Sequence, residues 1–195
     1  MGECKGHFFH AECLQGMLGD KEHLKCPNCG HHYGVLRGDY PSGTMTISQD
    51  SSRLPGYEGS KSSGTWTISY SLQGGTKPTE NGNVRYHGDG RNAYLPVCPE
   101  GDEVMALLQI AFHRKLIFTV GFSPTRGTDN VVCWNGVHHK TNRTGGPTRY
   151  GYPDESFLER CKAELRLKNV YFASEEEKQA GIAEARSKNT VHTYE

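Results

Sequence analysis

The chain has 195 residues, enough for one full domain or a domain with a small module, and its 22 basic and 22 acidic residues leave a formal charge of zero. That balance excludes a strong, sequence-blind electrostatic grip on nucleic acid as the leading function. Mean hydropathy is -0.69 and no apolar run approaches the roughly 18 residues of a membrane helix, so a soluble chain with no membrane partner is expected. Glycine contributes 24 residues, against a typical share of roughly 7%, which points to loops and tight turns rather than long helices.

Seven cysteines are present, and four of them (Cys4, Cys13, Cys26, Cys29) fall within the first 29 residues beside His7 and His10. Thiols clustered at metal spacing, with Cys98, Cys133 and Cys161 scattered singly, fit a reducing compartment, cytoplasmic or nuclear, better than a secreted disulfide scaffold. The pattern runs Cys4-x2-His7-x2-His10-x2-Cys13, then twelve residues, then Cys26-Pro27-Asn28-Cys29. Zinc takes four thiolate or imidazole ligands in a tetrahedron, and close pairs on turns supply two each. Leu14, Met17 and Leu18 give the intervening segment a short apolar helical face.

This segment resembles the later six ligand positions of a RING finger, whose eight ligands bind two zinc ions. The resemblance implies that Cys4, His7, Cys26 and Cys29 complete one site. It makes His10 and Cys13 half of a second, whose first Cys-x2-Cys pair would precede Met1. Either the chain is a fragment or the second site is lost. Pro27 matches a proline often found where RING fingers hold ubiquitin-conjugating enzymes.

Residues 30–64 form a Gly-, Ser- and Pro-rich connector broken by the alternating stretch Thr44–Ser48. Thr65 to Ser71 is the clearest strand, with Trp66, Ile68 and Tyr70 alternating against polar neighbours. Gly74 to Asn83 reads as a polar loop, and Asn92 to Pro96 as a short strand. Pro99 to Lys115 is the best amphipathic helix: Val104, Leu107, Leu108, Ala111 and Phe112 share a face, Pro99 suits the first turn, and Glu100, Asp102 and Glu103 suit the positive end.

Leu116 to Val120 has the continuous apolar character of a buried strand, Gly121 to Thr128 reads as a turn-rich loop, and Val131 to Trp134 as a second strand. Asn135 to Lys140 then sets His138, His139 and Lys140 beside Trp134. A buried strand pair with such loops is what a polar ligand pocket requires, although an ordinary hairpin with a solvated basic tip has the same local pattern. Asp154 is the expected N-cap of a helix carrying Phe157, Leu158, Cys161 and Leu165 on one face, with Glu164 beside that face. From Ser174 a capping box opens a helix almost devoid of large apolar residues, read as a solvated appendage.

The blocks LPGYE (54–58), AYLP (93–96), LIFTVG (116–121), WNGVHHKT (134–141) and YGYPD (150–154), in this order, resemble the carboxy-terminal domain of Deltex proteins. With the zinc segment the resemblance covers roughly residues 4–170. It implies an α+β fold: a zinc-bound, N-terminally truncated RING-type module at 1–32, a short joint at 33–44, an ADP-ribose-binding domain at 45–170, and a polar helical tail at 171–195. Family members commonly have Gln where this chain has Tyr40.

As the resemblance has it, His138, Tyr150 and Glu164 are catalytic. Gly121, Ser123, Thr125, Gly127 and Trp134, with His138 and His139, would hold ADP-ribose or NAD. Pro124 is variable in the family and Arg126 has no assigned place there. Two chemistries are implied: transfer of ubiquitin from a conjugating enzyme onto ADP-ribose or ADP-ribosylated proteins, or transfer of ADP-ribose from NAD to the ubiquitin carboxyl terminus. In the first, Glu164 is the expected base and His138 positions the ribose or shares the proton. Deltex proteins are associated with Notch signalling. Two competing readings are a non-catalytic reader of ADP-ribosylated proteins and, against the neutral charge, a single-stranded nucleic-acid binder using Trp and Tyr platforms.

Overall fold

Strand β4 (Thr65–Leu72) lies inside a four-stranded antiparallel sheet, in which β10 (Thr190–His192), β3 (Gly43–Asp50), β4 and β7 (Asp89–Pro96) follow one another in that order. Its alternation is realised in the packing: Trp66, Ile68, Tyr70 and Leu72 are all buried. Strand β3 (Gly43–Asp50) pairs with it in the register Ile47↔Ile68, and β7 (Asp89–Pro96) in the register Ile68↔Ala93. The computed structural model describes residues 6–19, 22–39, 41–123 and 127–193. Tyr40, Pro124 and Arg126 lie outside these, as do the expected zinc ligand Cys4 and the expected nucleotide-loop residue Thr125.

The chain divides into two units, residues 1–37 and 38–195. The first contains helix α1 (Ala11–Leu18) and a small hairpin, β1 (His23–Lys25) with β2 (His32–Gly34). The second is a mixed α+β domain built on the sheet.

Helix α2 (Pro99–His113) begins as expected, with Pro99 in the first turn and the Cys98 Sγ accepting the Gly101 N–H at 3.4 Å. The anticipated stripe is buried, but so are Met105, Ala106, Gln109 and Asp102. The helix is the centre of the core because it is covered on more than one side, by α3 (Phe157–Leu167) and α4 (Glu175–Ser187) as well as by the sheet.

Three expectations are corrected. The polar loop at 74–83 is a hairpin of β5 (Gly75–Thr79) and β6 (Gly82–Tyr86), closed by a two-residue turn with Gly82 at φ +107°. The helix at 154 starts later, with Ser156 as the residue before Phe157, and Asp154 makes no cap; its carboxylate is taken by Lys140 and Arg160.

The segment from Ser174 is no solvated appendage. Ser174 caps α4 by accepting the Glu177 N–H, and the Glu177 carboxylate accepts the Ala173 N–H at 2.7 Å. Ala185 is buried, its carbonyl accepts from the Gln109 side chain at 2.9 Å, and Arg186 pairs with buried Asp102. The chain then ends its described course as β10 (Thr190–His192), which pairs with the outer edge of β3. Polar contacts and backbone pairing hold this segment, so it carries no apolar period for a sequence reading to find.

Candidate functional site

The β8–β9 hairpin forms the platform of the larger site. Strand β8 (Phe118–Ser123) pairs with β9 (Thr128–Trp134), Phe118 opposite Trp134, with an irregularity between Gly121 and Ser123. The strands thus reach further into the expected 121–128 loop than its turn residues imply. Beyond β9, the Asn135 N–H donates to the Ile117 carbonyl at 2.8 Å and Val137 is fully buried. These contacts fix the chain just before the two histidines.

His139 turns inward and is 7% exposed. Its ring stacks on Trp134 at 4.3 Å between centroids, and Trp134 stacks in turn on Phe118 at 4.6 Å. Because the Val137 carbonyl can only accept, the His139 Nδ1 donates to it at 2.9 Å, and Nε2 then accepts from the Tyr70 hydroxyl at 2.9 Å. Burial is the main cause pushing the imidazole pKa down to about 4, against the raising effect of the Val137 bond. His139 is a neutral structural residue with both nitrogens engaged. It supports Trp134 from behind.

His138 turns outward, its side chain 69% exposed. Glu164, on α3, holds it twice. Oε2 accepts the His138 backbone N–H at 2.7 Å, and Oε1 lies 2.5 Å from the ring Nδ1. An acceptor at Nδ1 fixes the proton there and leaves Nε2 as the ring's available lone pair. Helix α3 is seated by buried Phe157, Leu158, Cys161 and Leu165. Its entry is anchored by Asp154, which meets Lys140 at 2.6 Å and Arg160 at 2.9 Å. Burial alone would raise the Asp154 pKa; the hydrogen bonds from Arg160 and Lys140 outweigh it and hold the carboxyl at about 2. Lys140 also lies 5.1 Å over the Phe157 ring. One buried ion cluster therefore couples the histidine segment to the helix that carries Glu164.

A cleft of about 670 Å³ opens here. Ser123, Trp134, His138, His139 and Tyr150 line it. Glu164 is brought to the site through His138 rather than as a lining residue, while Gly121 and Gly127 are not among the lining residues. Tyr150 is 60% exposed and adopts the left-handed conformation at φ 54°. Gly151 behind it must be glycine, since a Cβ there would stand 1.8 Å from the Thr144 carbonyl oxygen. The opposite wall comes from β7, with Arg91, Asn92 and Tyr94, and from Thr141. Sequence reasoning missed these four; residues of a strand brought beside a loop distant in sequence leave no local signal. Tyr94 is backed by Arg143, whose guanidinium sits 4.7 Å from the ring and pairs with Asp50.

In the first unit, His7, Cys26 and Cys29 bring one imidazole nitrogen and two thiols within 4.8 Å of one another. Cys26 is buried, its Sγ 3.6 Å from His7 Nδ1, and the turn Cys26–Gly30 is closed by the Gly30 N–H donating to the Cys26 carbonyl at 2.8 Å. Soft thiolates with an imidazole on a tight turn are a donor set that suits zinc. Among the described residues His10 and Cys13 are not part of this cluster; His10 precedes the first turn of α1 and Cys13 is exposed.

The model of the Deltex C-terminal domain matches residues 37–170. The chain is 45% identical over 168 residues to the Homo sapiens "Probable E3 ubiquitin-protein ligase DTX3", covering 84% of this chain and 47% of that protein. It is 38% identical over 172 residues to the Mus musculus "E3 ubiquitin-protein ligase DTX4" (85% of this chain, 27% of the relative). It is 37% identical over 174 residues to the Homo sapiens "E3 ubiquitin-protein ligase DTX1" (87% and 28%). The chain thus spans about half the length of the first of these relatives. By the extent of the domain match and these identities, this chain belongs to the Deltex family.

Proposed function

We propose that this chain serves ubiquitin ligation of the Deltex type, with the cleft taking ADP-ribose, free or attached to a protein, as acceptor of ubiquitin from a charged conjugating enzyme. The single observation that carries this reading is the double hold of Glu164 on His138 at a cleft floored by Trp134. A ribose hydroxyl is a weak nucleophile until a base takes its proton. As the hydroxyl oxygen attacks the thioester carbonyl, the C–S bond breaks, the thiolate leaves, and the proton passes to the His138–Glu164 pair. With both carboxylate oxygens occupied by His138, Nε2 receives the proton and Glu164 stabilises the imidazolium that forms. This shifts the part of base from Glu164 itself, as the resemblance implies, to the pair. Tyr150, a phenol at the rim, donates and orients.

Zinc fits the first unit: His7, Cys26 and Cys29 would hold it, with Cys4 as the fourth ligand the resemblance implies. Bound there, zinc supplies folding energy rather than chemistry.

Calorimetric titration with ADP-ribose tests the reading. Wild type is expected to bind, and His138→Ala to bind at least tenfold more weakly with zinc content unchanged. No binding by wild type would overturn it. Binding without any ubiquitin transfer would leave a non-catalytic reader in its place.

A further inference from the structure

Lys168 stands four residues beyond Glu164, at the C-cap of α3. That spacing puts two side chains on one helix face, with about 5–6 Å between their Cβ atoms. The lysine therefore stands beside the carboxylate that holds His138, yet it is not among the residues lining the cleft. Its ammonium makes no hydrogen bond or ion pair among the described residues. By contrast, Lys77 donates to the Val120 carbonyl at 2.8 Å, Lys140 is buried against Asp154, and Lys162, Lys178 and Lys188 pair with glutamates. Lys168 is also half-buried, and burial, only partly offset by the attraction of Glu164, pushes its pKa down. An unpaired, partly desolvated amine is neutral for a larger fraction of the time, and the neutral amine is the nucleophile. The surface around it is open: Arg166 is exposed and Leu167 is 79% exposed.

We propose that Lys168 is a second, nitrogen acceptor at the same centre: ubiquitin brought as a thioester to the His138–Glu164 pair is passed to Lys168 when no acceptor hydroxyl is bound. The proposal rests on the ubiquitin-transfer reading of the pair and extends it from an ester to an amide product. The lone pair of the neutral Nζ attacks the thioester carbonyl carbon. A C–N bond forms, the C–S bond breaks, and its electron pair leaves on the thiolate of the conjugating enzyme. The attacking nitrogen gives up one proton to His138 Nε2, Glu164 stabilises the imidazolium, and the proton then passes to the departing thiolate. The product is an isopeptide, which hydroxylamine leaves intact while it cleaves an ester on ribose.

The test incubates the zinc-loaded full chain with a ubiquitin-charged conjugating enzyme in the absence of ADP-ribose, and maps hydroxylamine-stable ubiquitin by peptide mass spectrometry. Lys168 is expected to carry severalfold more ubiquitin than the exposed Lys61 and Lys188. His138→Ala and Glu164→Ala should each lower the Lys168 product by about tenfold or more, with Lys61 and Lys188 unchanged. Lys168→Arg should lose that product and still bind ADP-ribose. Equal modification of the three lysines overturns the proposal, as does undiminished modification of Lys168 in the two variants, or none on Lys168 at all. Calorimetry with ADP-ribose on the same preparation keeps the two readings apart. Ubiquitin on Lys168 in a chain that binds no ADP-ribose leaves the amine acceptor standing and removes the ADP-ribose reading. ADP-ribose bound and esterified, with Lys168 bare, does the reverse.

Discussion

Glu164 grips His138 at two points, its Oε2 on the backbone N–H at 2.7 Å and its Oε1 at 2.5 Å from Nδ1. The two residues are 26 positions apart, so the tertiary fold makes this pair. The double contact sets the ring's orientation and its tautomer together. Glu164→Gln separates the two functions. A glutamine carbonyl can still take the backbone N–H, but its amide then donates to Nδ1 and drives the ring proton to Nε2. The acceptor that faces substrate is lost while the geometry survives. Transfer should fall about 10²–10⁴-fold, the usual share of a general base, with ADP-ribose affinity changed by less than about tenfold. Parallel titration and single-turnover rates measure the split.

The buried His139 makes stability depend on pH. Its pKa is about 4 folded, against 6.5 unfolded, so the unfolded chain binds the extra proton between these values. Stability therefore rises with pH across that window and is lost as pH falls from about 6.5 toward 4. A shift of this size is worth on the order of 3 kcal/mol. Urea unfolding of wild type and His139→Gln at several pH values from 4 to 7 should show a steep slope for wild type and a flattened one for the variant. Equal slopes would remove His139 from the account.

Asp154 is 4% exposed at its side chain, as is Lys140. Asp154→Asn leaves the lysine as an uncompensated buried charge, a loss of about 3–5 kcal/mol. Because the same cluster seats α3, transfer should fall along with stability. Replacing both partners by apolar residues of similar volume should recover much of the stability. Denaturant midpoints for the single and double variants decide this.

Removing residues 174–193 strips β10 from the edge of β3 and leaves Asp102 without Arg186. Asp102 also accepts the Trp66 indole N–H at 2.7 Å, so the loss reaches the core. The truncated chain should melt several degrees lower and aggregate through the exposed strand edge, yet still bind ADP-ribose. Calorimetric melting and light scattering check the first two points. An unchanged melt would return the tail to the role of an appendage.

The parts of this structure that the sequence makes legible are those with an apolar period. Trp66, Ile68 and Tyr70 announce β4, and the Val104–Phe112 stripe announces α2. The β5–β6 hairpin escaped because Tyr86 is its one buried residue. The docking of helix α4, though not the helix itself, escaped because it buries only Ala185 and is held by Gln109 and Asp102, whose partners lie 76 and 84 residues away. Asp154 has the residue type and position of an N-cap, and only the fold reveals that Lys140 claims it. In the site, His138, Tyr150 and Glu164 were identified through family resemblance, with no local pattern to pair them. The Arg91 wall carries neither kind of signal.

The central claim is that the His138–Glu164 pair takes the proton of an acceptor hydroxyl. Its most direct test is discharge of a ubiquitin-charged conjugating enzyme onto free ADP-ribose, run at saturating ADP-ribose with wild type, His138→Ala and Glu164→Ala of matched zinc content. The account predicts that wild type forms the ubiquitin–ADP-ribose ester and that both variants lose it to a similar extent. Wild-type rates in Glu164→Ala would contradict it.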